Sequence, residues 1–381
     1  MGRSISLTRD RLDLPDFCTY YLTARMLEIS PSGIYDNRAM DDLRTAAGVP
    51  DCPLPYSYPP FFAGCVRLLA RLPYQQAAAV WMLLNVICLV GGLVGLLALT
   101  GWPGGRVGVV VALLLLLLFV PAQEAVLLGQ VSPLLFLLNV FALLLLDRSK
   151  STAEEVTAGI LLGAATFIKV VPVILLVYLL LRRRWLAVVG GVLGGALCML
   201  VGLLWGGGWS NTWTYFTAFL PSLYTSRLTR VALDNQALTA LFLRPLGDSP
   251  LSRVLGLGAV LAVSIVTWLA SFVRHPRRLT REFALISMLS LLVPSSVYGH
   301  MYISILLPIA LLTQSWYNGT RWLAAPLLLS FLLLIVNSYS KWASLRLAIW
   351  VPFGLIGTLI VWGALLRQVT LGSDGCGLEN G

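Results

Sequence analysis

Long uninterrupted apolar runs constrain this chain more than any other feature of its sequence. Residues 110–120, for example, read VVALLLLLLFV. Of the 381 residues, 58% are hydrophobic and only 12% are charged. This apolar fraction is larger than the core of a soluble protein of this size would require. Because a helix needs roughly 20 apolar residues to cross a bilayer, the sequence predicts an all-α polytopic membrane protein.

We expect a bundle of about 9–11 transmembrane helices within residues 76–367. One segment, 157–181, carries FIKVVP at its middle, where Lys169 is costly in lipid and Pro172 removes a backbone hydrogen bond. This segment is therefore predicted to be a broken helix. The continuous spans are predicted near residues 78–100, 107–121, 131–146, 185–206, 253–273, 283–297, 301–317, 322–338 and 347–366.

The arginines and lysines orient the bundle. If the loop after residue 100 is cytoplasmic and 157–181 returns to the side it left, most basic residues of the short loops face the cytoplasm. A full crossing of 157–181 is the alternative, but it would place DRSK and RRR on opposite sides. These loops account for the net charge of +10. Nucleic-acid binding is not indicated, because no basic stripe is interleaved with base-stacking aromatics.

This topology gathers the polar segments on the extracytoplasmic side. Residues 1–75 are predicted to form an extracytoplasmic loop with interfacial helices, and 207–252 a second extracytoplasmic loop. Residues 368–381 are expected to be a flexible cytoplasmic tail. The start, MGRSISLTRDRLDL, has no apolar stretch that could carry residues 1–75 across a membrane. We therefore expect that a first transmembrane helix is missing from this chain.

Asp16 precedes a stretch, 17–29, that is predicted to be an amphipathic helix lying along the membrane surface. Asp is a favoured helix cap, so capping is the alternative to a chemical role. Cys18 and Cys52 could form a disulfide outside the cytoplasm, although free thiols are the preferred interpretation. The cysteines show no CxxC spacing and no pairing with histidine, so no metal site is predicted.

Two basic side chains could hold an anion. Lys169, at the tip of the broken helix, would favour phosphate, and pairing with a carboxylate such as Glu124 is the alternative. His300 lies in PSSVYGHMY at the outer end of a span. It could bind phosphate or tune a nearby carboxylate, while a purely structural role is the commoner one for a lone histidine.

Two further motifs carry polar groups at the outer side. Tyr58, in YSYPP, could stack on a sugar or anchor the chain at the lipid interface. Gln130, in GQVSP, could contact substrate or satisfy neighbouring backbone groups. The sequence has no P-loop, dinucleotide fingerprint or Ser/His/Asp signature, which argues against an ATP-driven pump or a familiar hydrolase.

Taken in order, several motifs resemble glycosyltransferase family 87, the polyprenol-phosphate-mannose-dependent α-1,2-mannosyltransferase-like membrane proteins of the GT-C superfamily. The resemblance covers about residues 12–315 and implies a GT-C-like bundle. Members usually have a transmembrane helix before the aspartate loop, and Ala237 stands where a serine is common. The motifs are PDFCTYYLTARML, GIYD, YSYPP, GQVSPLL, IKVVP, DNQAL and PSSVYGHMY.

The resemblance implies transfer of a hexose, mannose, from a polyprenyl-phosphate donor to a lipid or glycan acceptor on the extracytoplasmic face, with Asp16 as general base. A polyprenyl phosphate leaves as a stable anion, so one base suffices and direct attack inverts the anomeric centre. Lys169 and His300 are the candidates for the donor phosphate. The candidates for sugar or acceptor contacts are Tyr58, Gln130, Asn235 and Gln236. No cofactor or metal is implied.

The alternative function is a transporter or flippase of a polyprenyl-linked lipid. Such a protein should have paired broken helices in two symmetric halves. The sequence has one broken segment, and its polar groups cluster on one side, so the enzyme is preferred. A composition rich in Gly, Leu, Val and Arg is typical of a bacterium of high genomic GC content, and we expect a multi-pass protein of the bacterial plasma membrane.

Overall fold

The computed structural model describes residues 13–371 except 48, 50, 51, 54, 103, 223–234, 273–278 and 343–351. Every regular element among these residues is helical, and they contain no strand. The predicted all-α class is therefore confirmed. Most of the predicted C-terminal tail, 368–381, lies outside the described residues, and its first residues continue the last helix.

The α-helices vary widely in length, from four residues to 27. In chain order they are α1 (Pro15–Ile29), α2 (Asn37–Ala46), α3 (Pro60–Val66), α4 (Tyr74–Thr100), α5 (Gly105–Leu118), α6 (Val120–Leu128), α7 (Ser132–Arg148), α8 (Thr152–Ile168), α9 (Val173–Leu181), α10 (Trp185–Trp205), α11 (Gly208–Thr214), α12 (Ala240–Leu246), α13 (Pro250–Ser271), α14 (Leu279–Ser287), α15 (Leu289–Leu292), α16 (Leu306–Tyr317), α17 (Ala324–Trp342) and α18 (Phe353–Leu371). Short 3₁₀ turns occupy Pro31–Tyr35, Leu69–Arg71, Gly299–Ile305 and Arg321–Leu323, and a π turn occupies Tyr215–Phe219.

Four of these helices, α4, α10, α13 and α18, are long and apolar enough to cross a membrane. A fifth span is possible if α5 and α6, which meet at an angle of 61°, cross together. This is fewer than the 9–11 helices expected from the apolar runs. The prediction of a continuous span at 283–297 is wrong, because helix α14 gives way to the short α15 at Met288 and Pro294 cannot continue it.

The broken segment is confirmed where it was predicted. Helix α8 ends at Ile168, Lys169 is extended, and α9 begins only after Pro172. Beyond α9, the Arg184 guanidinium donates to the carbonyl oxygen of Leu146 at 3.1 Å and pairs with Glu155 at 3.3 Å. The RRR sequence thus lies beside the DRSK loop, so the α8–α9 hairpin returns to the end of the bundle where it started.

Two GxxxG sequences hold α8 against α10. Gly159 and Gly163 of α8 face Gly190 and Gly194 of α10, and a Cβ at any of these four positions would collide with a backbone carbonyl of the other helix. Small residues at this spacing let two membrane helices approach until their backbones touch. The hairpin and α10 therefore form one tightly packed unit within the bundle.

Helices α1–α3 pack on one end of the bundle around a core of aromatic rings. Phe17 stacks on Trp81 with ring centroids 5.3 Å apart, and Tyr20 meets Phe62 edge to face at 5.1 Å. Helix α1 was predicted to be amphipathic, and this expectation needs correction. Nine of its 15 residues are buried, threonines included, because α2–α4 cover it from several sides.

A disulfide joins Cys18 of α1 to Cys52, with Cα atoms 5.7 Å apart. The preferred interpretation of these two residues as free thiols was therefore wrong. The sequence separation of 34 residues gave no indication that the fold returns the chain to α1. Disulfides persist in oxidising compartments, so the pairing bears on which side of the membrane this part of the chain occupies.

The glycine interface can be tested with Gly163→Ala, which places a methyl group against the Gly191 carbonyl. Overpacking of this kind costs about 1–3 kcal/mol, so the melting temperature in detergent should fall. Gly258→Ala in α13 is the matched control, because among the described residues no atom beyond the adjacent backbone of α13 lies within 4 Å of its added Cβ. Equal melting temperatures for the two variants would contradict the close approach of α8 and α10.

Candidate active site

Asp16 lies in the first turn of α1 and is half-buried. The cap position of this helix is Leu14, and no side chain caps it by a hydrogen bond. The Nε2 amide of Gln130 donates to Asp16 Oδ2 at 2.5 Å. The carboxylate is therefore held by a side chain 114 residues away in sequence, which helix capping alone would not require.

Gly129 explains why Gln130 reaches Asp16. It ends α6 in the left-handed region, with φ of +70°, and a Cβ there would lie 2.7 Å from Phe17 Cβ. The Gly129 carbonyl accepts a hydrogen bond from the Trp81 indole at 2.8 Å. Only glycine satisfies both the backbone angle and the contact with α1. This close approach of α6 to α1 places the next residue, Gln130, beside the start of α1.

Two tyrosines orient the Gln130 amide. The Tyr20 hydroxyl donates to Tyr58 Oη at 3.0 Å, and the Tyr58 hydroxyl donates to Gln130 Oε1 at 3.4 Å. Burial, reinforced by the neighbouring Tyr58 phenol and Asp16 carboxylate, raises the pKa of Tyr20 well above its usual value, so this phenol stays protonated. Because Gln130 Oε1 accepts from Tyr58, its NH₂ group faces the Asp16 carboxylate.

His300 is buried in the 3₁₀ turn that precedes α16, with 7% of its surface exposed. The neighbouring Gly299 packs directly against the Glu124 carboxylate, which occupies the space a side chain would take. Glu124 lies in α6, and Gln130 follows the end of the same helix. Helix α6 therefore connects the turn that carries His300 with the network around Asp16.

Asn235 joins two loops and is fully buried. Its Nδ2 donates to the Ser295 carbonyl at 2.9 Å, and its Oδ1 accepts from the backbone N–H groups of Ala237 and Val297 at 3.0 and 2.9 Å. Arg244 in turn donates to the Asn235 carbonyl at 2.5 Å. In the structure this side chain clamps the loop before His300, and its contact with a sugar stays a prediction.

Gln236 extends the same connection. Its backbone N–H donates to the Val297 carbonyl at 2.8 Å. The side chain is 2% exposed, and its Oε1 accepts no hydrogen bond from the described residues. Buried polar atoms without a protein partner commonly bind water or ligand, and the role of Gln236 in substrate contact stays a prediction.

Lys169 lies at the break after α8 and is half-buried. Two residues earlier, Phe167 meets Phe61 of α3 edge to face at 5.8 Å. The break is therefore next to the unit formed by α1–α3, at the opposite end of α8 from the DRSK loop.

Sequence reasoning missed Tyr20, Gly129, Gly299 and Arg244. Tyr20 is four residues after Asp16, a spacing that places two side chains on one helix face. Its position beside Asp16 could therefore be predicted from the sequence. Gly129 is in the quoted GQVSP motif, but its left-handed conformation and its contact with Phe17 depend on tertiary packing. Arg244 falls within the predicted loop 207–252, and nothing in the sequence indicates its contact with Asn235.

Residues 56–295 match glycosyltransferase family 87. This range contains Tyr58, Gln130, Lys169, Asn235 and Gln236, while Asp16 and His300 lie outside it. No solved structure matches the chain.

Curated relatives come from mycobacteria. The chain is 30% identical over 158 residues to a polyprenol-phosphate-mannose-dependent α-(1-2)-phosphatidylinositol pentamannoside mannosyltransferase of Mycolicibacterium smegmatis, covering 42% of this chain and 35% of that one. It is 24% identical over 265 residues to a polyprenol-phosphate-mannose-dependent α-(1-2)-phosphatidylinositol mannoside mannosyltransferase of Mycobacterium tuberculosis, covering 66% and 60%. The matches thus span about one third to three fifths of these relatives' lengths.

The contact between Gly129 and α1 can be tested with Gly129→Ala. A side chain in the left-handed region costs about 1–2 kcal/mol, and here it also collides with Phe17. Gly101→Ala is the matched control, because Gly101 has φ of +57° but open space around it. Hydrogen exchange of α1 amides should accelerate in Gly129→Ala alone. Equal protection of α1 in both variants would show that this contact does not hold α1 in place.

Proposed function

The chain belongs to glycosyltransferase family 87, and on this basis we propose that it transfers a hexose, mannose, from a polyprenyl-phosphate donor to a lipid or glycan acceptor. The relatives are named as polyprenol-phosphate-mannose-dependent enzymes acting on phosphatidylinositol mannosides, which supports this class of donor and acceptor. The observation that carries the proposal for this chain is the hydrogen bond from Gln130, within the family match, to the Asp16 carboxylate.

Asp16 acts as the general base. It takes the proton of the acceptor hydroxyl while that oxygen forms a bond to the anomeric carbon, and the bond from this carbon to the phosphate oxygen breaks. The polyprenyl phosphate departs with the electron pair and needs no proton from the protein. A glycosidase, by contrast, requires a second carboxyl group for its poor leaving group. Direct displacement turns a β-linked donor into an α-linked product.

The hydrogen-bond network supports this role for Asp16. Gln130 fixes the direction of the carboxylate, and the two tyrosines behind Gln130 fix the direction of its amide. Such preorganisation holds a base in one orientation before the acceptor binds. Lys169 and His300 stabilise the negative charge that develops on the leaving phosphate.

The reaction takes place on the extracytoplasmic face of a bacterial plasma membrane. The disulfide between Cys18 and Cys52 supports this side, since Cys18 lies in the same helix as Asp16. Exposed tryptophans support a position of the site near the lipid–water interface. Trp205, Trp209 and Trp213 recur at a spacing of four residues, and their side chains are 58%, 64% and 58% exposed. Tryptophan is enriched at membrane–water interfaces. Trp205 ends α10, where that helix contacts α3, and Trp209 and Trp213 lie in α11, which follows.

The proposed base is tested by Asp16→Asn, which keeps the shape of the side chain and removes its basicity. Transfer from polyprenyl-phosphate mannose in liposomes should fall by about 10²–10⁴-fold, the usual contribution of general base catalysis. Donor binding and melting temperature should stay near wild type. Asp36→Asn is the control, because Asp36 caps α2 and asparagine caps equally well. Wild-type turnover by Asp16→Asn would exclude Asp16 as the base.

The proposed phosphate contact is tested by Lys169→Ala. Hydrogen bonds to charged groups contribute about 1.5–3 kcal/mol, so the donor KM should rise by roughly 10–100-fold. Lys150→Ala, at the opposite end of α8 and exposed, is the matched loss of a lysine. The same donor KM for both variants would remove Lys169 from the phosphate site.

A further inference from the structure

Helices α8, α9 and α10 border an open groove of about 500 Å³ on the outer surface of the bundle. Its lips are exposed, as Val177, Leu180 and Val192 show with exposures of 40%, 40% and 68%. The lining is apolar except for Thr166, whose hydroxyl donates to the Leu162 carbonyl of its own helix. An apolar groove that opens on a membrane-facing surface accepts hydrocarbon rather than water.

The groove exists because of the break at residues 169–172 and because of glycines. The break turns the chain so that α9 runs back beside α8 and α10. Gly163, Gly191 and Gly195 contribute to the lining. A Cβ at Gly163 would meet the Gly191 carbonyl, one at Gly191 would meet Leu176, and one at Gly195 would meet Phe167. The close contact of α8 with α10, and the packing of Leu176 and Phe167 against α10, therefore form the floor of the groove.

The groove runs from the candidate phosphate site into the membrane. Phe167 lines it and is two residues from Lys169, while Leu180 and Val188 line it near the arginine-rich end of α9. Along α10 it extends from Val188 to Met199, about 17 Å at 1.5 Å per residue. This length is roughly half of a 30 Å hydrocarbon core.

We propose that this groove binds the first isoprene units of the donor's polyprenyl chain while Lys169 holds the phosphate. The inference rests on the proposed function, and it adds a location and a reason for the donor to be lipid-linked. A single groove of this kind fits the one hydrocarbon chain of a polyprenyl phosphate better than the two acyl chains of a phospholipid.

The groove is tested by filling it. Val192→Trp and Ala196→Trp each place an indole in the groove, and Leu197→Trp places one on the same helix at a residue outside the lining. The donor KM is measured with a long-chain polyprenyl-phosphate mannose and with methyl-phosphate mannose, a short donor that carries no isoprene unit. We expect the groove variants to raise the KM for the long donor by about tenfold. The short donor and Leu197→Trp should stay near wild type.

An equal rise for both donors, or the same effect from Leu197→Trp, would overturn the proposal. If wild type transfers from neither donor, the proposed function fails, and photolabelling then decides the groove independently. A photoactivatable polyprenyl phosphate should label α9 and α10 residues of the groove more than a photoactivatable diacyl phospholipid does. Equal labelling by the two probes, or labels spread over α10 beyond the groove, would show ordinary lipid contact.

Discussion

The contact between Gly129 and the first turn of α1 is the constraint on which the candidate site depends. Gly129 ends α6 in the left-handed region, and α1 packs against the position that a side chain would occupy there. The neighbouring Gln130 donates a hydrogen bond to Asp16, and the indole of Trp81, in α4, donates one to the Gly129 carbonyl. The candidate base is consequently attached to the bundle rather than carried on an independent loop.

The second constraint is the glycine contact between α8 and α10. It keeps the broken helix beside α10, which places Lys169 near the unit of α1–α3 and opens the groove along α9. Asp16 and Lys169 are thus positioned by different helix contacts, and both of these contacts require glycine. The clamp made by Asn235 adds a third fixed element, because it joins the loop at 235–239 to the one that leads to His300.

Much of this arrangement could be predicted from the sequence, for identifiable reasons. Lys169 and Pro172 within one apolar run predicted the break, and the distribution of arginines predicted the return of the chain. The Cys18–Cys52 disulfide was considered but not preferred, and the burial of α1 and the interruption at Met288 could not be predicted, because each depends on packing between distant segments. Asp16 and Gln130 were both candidate site residues. They are 114 positions apart, and nothing in the sequence indicated that their side chains touch.

The proposed reaction is a direct displacement of polyprenyl phosphate by an acceptor oxygen. This step is tested by the anomeric configuration of the product that the protein forms in liposomes from a labelled β-linked polyprenyl-phosphate mannose and a bacterial lipid extract. Direct displacement gives a labelled product that an α-mannosidase removes and a β-mannosidase does not. A β-linked product would contradict direct displacement with a single base. Absence of product, with movement of the donor lipid across the bilayer instead, would contradict the enzyme itself.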